Sequence, residues 1–310
     1  MQIGHIFPNF RVWRKILPKI TTFSTKKRKH FARVGISFFR NRRRLMPKDT
    51  SYTAKTPDST GQIQYDADEN AVWRDLVAQQ MPKVQRLMAR PYLDGLARLD
   101  MPRDRVPQCT DISARLRELT GWQVDPVPAL IPFGQFFSML AAKTFPAASF
   151  IRRREHFDYI EEPDIFHEIF GHTPLLTDPR FARFSQAIGR AGLAAAPADY
   201  SWLIRLYWFT IEFGLTRENG ALKALGSGLA SSPTELPWSV SGDPEYRPFD
   251  VIDILRTPYR IDIHQPLYFV LDDLDALFAA AERDLLADIR TARSLGLHAP
   301  KYPPKTARAR

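Results

Sequence analysis

Cysteine is almost missing from this sequence: its 310 residues contain one, Cys109. A lone thiol excludes an internal disulfide framework, and no second cysteine stands near it to make a redox or zinc pair. A reducing, cytoplasmic compartment is the expectation. Long apolar runs are missing too. No stretch approaches the roughly eighteen apolar residues that a membrane-crossing helix needs. No segment repeats another. Acidic residues are absent from residues 1–48, which hold fourteen Lys and Arg. Taking those fourteen from the 44 basic residues leaves 30 against 34 acidic ones. The net charge of +10 therefore sits in an N-terminal segment, and the rest of the chain is mildly acidic.

That segment, residues 1–45, admits three readings. Lys26-Lys27-Arg28-Lys29 and Arg42-Arg43-Arg44 suit electrostatic contact with nucleic acid or anionic lipid. An Arg-rich stretch without acids also suits a targeting peptide. The plainest reading is that translation starts at Met46, where an ordinary soluble composition begins. Residues 46–68, rich in Ser, Thr, Pro and Gly, read as a flexible lead-in. Residues 69–297 form one domain, and 298–310 form a basic tail.

What is present is 44% apolar and 12% aromatic, enough for a large core and a deep apolar pocket. The patterning is mainly helical with a few short strands. Trp73, Leu76, Val77 and Met81 share a face, and Pro82 is expected to start a new helix. Asp111 is expected to cap a helix ended by Gly121, and Asp125 to Pro132 to be a loop. A helix is expected over Gln135 to Lys143. Asp178-Pro179 opens another, and Asp199 opens a long apolar helix through Phe213. Asp250 to Ile263 is expected to give short strands. Asp272 is expected to cap a last helix carrying Leu274, Leu277, Phe278, Leu285 and Ile289.

The sharpest local signal is Pro163-Asp164-Ile165-Phe166-His167-Glu168-Ile169-Phe170-Gly171-His172. It is not the zinc-protease pattern, which needs two His four residues apart. A spacing of five on an α-helix swings the second imidazole about 140° from the first. Gly171 is expected to resolve this by ending the helix in a left-handed turn, so that His172 folds back beside His167. Glu212, inside Tyr207-Trp208-Phe209-Thr210-Ile211-Glu212-Phe213-Gly214-Leu215, is the candidate third ligand. A carboxylate in so apolar a helix is costly unless paired or metal-bound. Two His and one carboxylate suit the facial triad of non-haem iron oxygenases, though spacing alone leaves iron and zinc both open.

These two segments, with Phe181-Ala182-Arg183-Phe184-Ser185-Gln186 and Gln265-Pro266-Leu267-Tyr268, resemble the tetrahydropterin-dependent aromatic amino acid hydroxylases. The likeness spans roughly residues 70 to 290 and is closest to the short bacterial phenylalanine 4-hydroxylases. It implies Fe(II) on His167, His172 and Glu212, tetrahydrobiopterin or a related tetrahydropterin, and hydroxylation of L-phenylalanine to L-tyrosine by O2. It implies that Phe136 stacks on the pterin, that Ile131 and the backbone near Ala129 flank it, and that Glu168 and Tyr207 lie beside iron and pterin. Arg152 aligns with the arginine that binds the substrate carboxylate; without the likeness, Arg152-Arg153-Arg154 reads as a solvated charge run. Pro163, Trp208, Gly228 and Ser231 align with the substrate pocket. Ile261 stands where phenylalanine-using members carry an aliphatic residue and tyrosine-using members an acid.

The sequence departs from the animal members in lacking a long regulatory domain before the catalytic part and a tetramer-forming helix after residue 297. A monomer is expected, served by pterin-recycling enzymes. Pro146 stands where animal members have a histidine near the pterin. Rival readings are a tyrosine or tryptophan hydroxylase, a zinc hydrolase with Glu168 as base, and a nucleic-acid binder acting through the basic segment; neither nucleic acid nor membrane is the expected partner.

Overall fold

Asp66 begins the first helix with a capping box: it accepts from Glu69 N, while the Glu69 carboxylate accepts from the Asp66 N–H. The computed structural model describes residues 52–128 and 130–304, so the readings of residues 1–51, Ala129 and the end of the basic tail fall outside it. Helix α1 (Ala67–Leu87) buries Val72, Trp73, Leu76, Val77 and Val84. It runs straight through Pro82, where the sequence suggested a restart. Helices α2 (Arg90–Leu99) and α3 (Cys109–Thr120) follow, and α3 ends at Gly121 as expected, with φ of 76°. Ahead of α1, Gln62 and Ile63 bond to Thr110 and Gln108, and Tyr52 stacks on Phe150.

The expected loop at Asp125 to Pro132 is partly a strand. Strand β1 (Gln123–Val127) pairs in parallel with β2 (Thr144–Ala148), with helix α4 (Phe133–Ala141) between them. Pro126 and Pro146 are tolerated because this sheet has two strands, each with a free edge. Helices α5 (Thr173–Leu176), α6 (Pro179–Ala194) and α7 (Tyr200–Tyr207) form the next layer. Close glycine contacts set their packing: a Cβ on Gly192 would lie 2.1 Å from the Phe137 ring, and one on Gly95 would lie 2.1 Å from Pro174 O.

Strands β3 (Leu215–Glu218) and β4 (Ala221–Ala224) form a hairpin across Asn219-Gly220, both at positive φ, the two-residue turn that matches strand twist. Helices α8 (Ser227–Ser231) and α9 (Glu235–Ser239) precede β5 (Glu245–Pro248). The region expected as short strands holds instead a helix, α10 (Val251–Arg256), capped by Asp250. Strand β6 (Leu267–Leu271) completes a four-stranded sheet in the order β4-β3-β6-β5. The expected last helix is broken into α11 (Ala276–Ala281) and α12 (Leu285–Leu295), the second capped by Asp284. The architecture is thus mainly helical with a few short strands, as the patterning indicated. Among the described residues, no helix is long and apolar enough to cross a membrane.

Candidate metal centre and active site

His167 and His172 lie on one π-helical segment, Phe166–His172, and Glu212 ends a second, Trp208–Glu212. This corrects the expected left-handed break at Gly171. A π-helix closes its turns from i to i+5, so residues five apart share a face without leaving the helix. Gly171 serves close approach instead: a Cβ there would lie 2.8 Å from Ser227 O on α8. In the second segment Phe213 N bonds to Trp208 O at 2.8 Å, five residues back, and the Thr210 hydroxyl donates to Leu206 O at 2.6 Å. That hydroxyl competes with the backbone for helical carbonyls.

The three groups offer ligand atoms within 4.8 Å of one another. His172 Nε2 is 3.2 Å from His167 Nε2 and 3.1 Å from Glu212 Oε1, while His167 Nε2 is 3.8 Å from Glu212 Oε2. Metal–nitrogen bonds of about 2.1 Å place two donors at a right angle roughly 3 Å apart, so the set fits one ion. The other imidazole nitrogens are engaged. His167 Nδ1 meets Ser231 Oγ at 2.9 Å, and His172 Nδ1 meets the Tyr207 hydroxyl at 3.3 Å. Such outer bonds fix ring orientation and leave both Nε2 atoms for the metal. Ser227 Oγ donates to Glu212 Oε2 at 3.0 Å.

The electrostatics agree. Burial depresses the His167 imidazole to about 4, keeping it neutral and able to ligate. Burial opposes ionisation of Glu212, but His172 and His167 beside it hold its carboxyl down at about 2. Glu168 is pushed the other way, well above the usual carboxylate range, by burial and then by Glu212 and Asp164.

Two aromatic clusters contain further predicted residues. The Tyr207 ring stands between Phe136, edge-on at 5.4 Å, and His172, stacked at 6.2 Å. Ile131 is half-buried just before α4. Trp208 stacks on Tyr259 and leans on Phe213, both at 4.4 Å, and Gly228 leaves Phe213 its room: a Cβ would lie 2.8 Å from that ring. Ile261 is half-buried in the segment after Tyr259, and Pro163 is half-buried beside Asp164.

Arg152 is not part of a solvated run. It is 5% exposed, whereas Arg153 and Arg154 face solvent. Its Nε and Nη2 grip both oxygens of Asp164 at 2.8 and 2.9 Å, and Nη1 reaches Phe157 O at 3.3 Å. Asp164 also accepts from His167 N at 3.2 Å, tying Arg152 to the metal-binding segment. Sequence reasoning missed Asp164 and Ser227. The Arg152–Asp164 pair spans twelve residues with no helical or strand period, so no pattern announces it.

The family model for biopterin-dependent aromatic amino acid hydroxylases matches residues 15–287. The chain belongs to that family. It is 48% identical over 260 residues to the phenylalanine-4-hydroxylase of Pseudomonas aeruginosa, covering 84% of this chain and 99% of that one. Its fold resembles the cold-active phenylalanine hydroxylase of Colwellia psychrerythraea, with TM-score 0.80, 45% identity, and coverage of 83% and 100% of the two chains. It also resembles the Chromobacterium violaceum phenylalanine hydroxylase with bound oxidised Fe(III), with TM-score 0.75, 35% identity, and coverage of 81% and 92%. Family membership makes the chain a pterin-dependent enzyme, and the donor set described above fits iron.

Proposed function

We propose that this protein is a phenylalanine 4-monooxygenase, converting L-phenylalanine to L-tyrosine with O2 and a tetrahydropterin. The observation that supports the reading is the two-histidine, one-carboxylate donor set of His167, His172 and Glu212, tied through Asp164 to the buried guanidinium of Arg152. His167, His172 and Glu212 hold Fe(II), which with the reduced pterin supplies oxygen activation.

The chain's own residues bind and orient. Asp164 fixes the guanidinium, and the second Nη1 N–H, beside the one given to Phe157 O, donates to the substrate carboxylate. Trp208, Ile261, Pro163 and Gly228 frame the ring, while Ser231 sits behind it and steadies His167. Phe136 stacks on the pterin, and Ile131 flanks it. Glu168, its carboxyl held above the usual carboxylate range by burial, lies towards the pterin, while Tyr207 orients His172. The reading takes the protein to be a cytoplasmic monomer served by enzymes that regenerate the pterin; the buried free thiol of Cys109 is in keeping with a reducing compartment.

Substrate choice tests it. An aliphatic wall at Ile261 gives a phenolic hydroxyl no partner, although such walls reject an added hydroxyl only by roughly 10²-fold. In competition, phenylalanine is expected to outrun tyrosine and tryptophan in kcat/KM, and Ile261→Asp is expected to raise dihydroxyphenylalanine relative to tyrosine as product. A wild-type preference for tyrosine or tryptophan rejects the assignment of substrate.

A further inference from the structure

The segment Gln265-Pro266-Leu267-Tyr268 has no task in the site described so far, yet Gln265 is 1% exposed and bonded at every polar atom. Its Nε2 donates to Arg260 O at 2.7 Å and Ile263 O at 3.2 Å. Its Oε1 accepts from Trp208 Nε1 at 3.3 Å. Its backbone carbonyl accepts from Trp238 Nε1 at 3.0 Å, and its backbone N–H donates to Glu235 Oε1 at 2.7 Å. Glu235 is itself 8% exposed, and the same oxygen takes the Tyr268 hydroxyl at 2.9 Å. One amide thus joins Trp208 to the turn that carries Ile261.

We propose that Gln265, anchored by Glu235, is a positioning residue that sets the Trp208 indole against Ile261 and thereby fixes the width and selectivity of the pocket for the substrate ring. The proposal rests on the substrate wall assigned above. Stacking on Tyr259, with Phe213 tilted against the ring, fixes the plane of the indole but lets it slide within that plane. The Nε1–H to Gln265 bond is directional and stops the slide. The chemistry selects an amide, because one group must accept from the indole while donating to two carbonyls. A carboxylate has no donor and an aliphatic chain has neither function.

The test uses full-length, iron-loaded protein and the variants Gln265→Leu, Trp208→Phe, their double, Glu235→Leu and Glu235→Gln. Gln265→Leu is expected to raise KM for phenylalanine roughly tenfold, as loss of one buried hydrogen bond implies. It should also lower tyrosine formed per pterin consumed, and leave iron stoichiometry unchanged. In the Trp208→Phe background the same change should add little, since the indole N–H is already gone. Glu235→Leu should reproduce these effects, while Glu235→Gln, which keeps the accepting oxygen, should restore wild-type KM and coupling. The Glu235 pair decides the matter if Gln265→Leu does not fold. Unchanged KM and coupling in Gln265→Leu, or effects that multiply in the double variant, overturn the inference. A wild-type protein that fails to use phenylalanine overturns the functional reading first, before any variant is made.

Discussion

At single side chains, the centre depends on which nitrogen each imidazole presents. Ser231 and Tyr207 occupy the Nδ1 positions, so Nε2 of both His167 and His172 turns to Glu212. Glu212→Gln keeps the shape but removes the negative charge that balances a divalent ion, and is expected to cut iron content and activity to near background. Ser231→Ala is expected to be milder, lowering iron affinity by about 10- to 100-fold, as loss of an outer hydrogen bond does. Metal analysis after dialysis against a graded chelator reads both, and wild-type retention in either variant counts against the assignment. Glu235 gives a pH prediction. Burial without a cation pushes its carboxyl from an ordinary 4.5 up to about 7. An acid raised in the fold contributes most below its unfolded value and loses that contribution as pH rises through 7. Glu235→Gln, neutral throughout, should therefore match wild-type Tm near pH 5 and exceed it by a few degrees at pH 8, a gap on the order of 3 kcal/mol at most. A Tm difference that does not widen between these pH values contradicts the assignment.

Among the elements, both metal-bearing segments are π-wound and both are pressed by α8. The approach is closest at Gly226, where a Cβ would lie 2.0 Å from Glu212 O and 2.4 Å from its carbonyl carbon. Gly226→Ala must push the backbone of a ligand residue, and is expected to lower Tm by several degrees and weaken iron retention together. Thermal scans with and without added Fe(II) separate the two, and an unchanged pair of curves refutes the packing argument. The three candidate ligands are legible in the sequence, because a His pair and a Glu in an apolar helix draw attention to themselves and the family resemblance joins them. The winding that unites them is not legible. A spacing of five fits a left-handed break as well as a π turn, and only the contact of Gly171 with Ser227 O explains why glycine stands there. Asn219-Gly220 is a dipeptide whose hairpin turn the sequence itself carries.

For the whole molecule, the helical majority could be read from apolar periodicity, while β1 and β6 could not. Pro126 argues against a strand locally, and β6 is buried at every position, so it lacks the alternation of a half-exposed strand. The Asp250 segment misled because α10 spans six residues, too few for helical periodicity to show. Arg152 misled for a different reason: three consecutive arginines look alike in sequence, and a carboxylate twelve residues on turns one of them inward. The central claim is that this assembly places O2-derived oxygen on the ring of phenylalanine at an iron held by His167, His172 and Glu212. Its most direct test is product analysis of apo-, zinc- and iron-loaded protein given L-phenylalanine, a tetrahydropterin and ¹⁸O₂. The account predicts tyrosine from the iron-loaded protein alone, with the label in its phenolic oxygen. Unlabelled tyrosine, equal activity with zinc, or no tyrosine from the iron-loaded protein contradicts it.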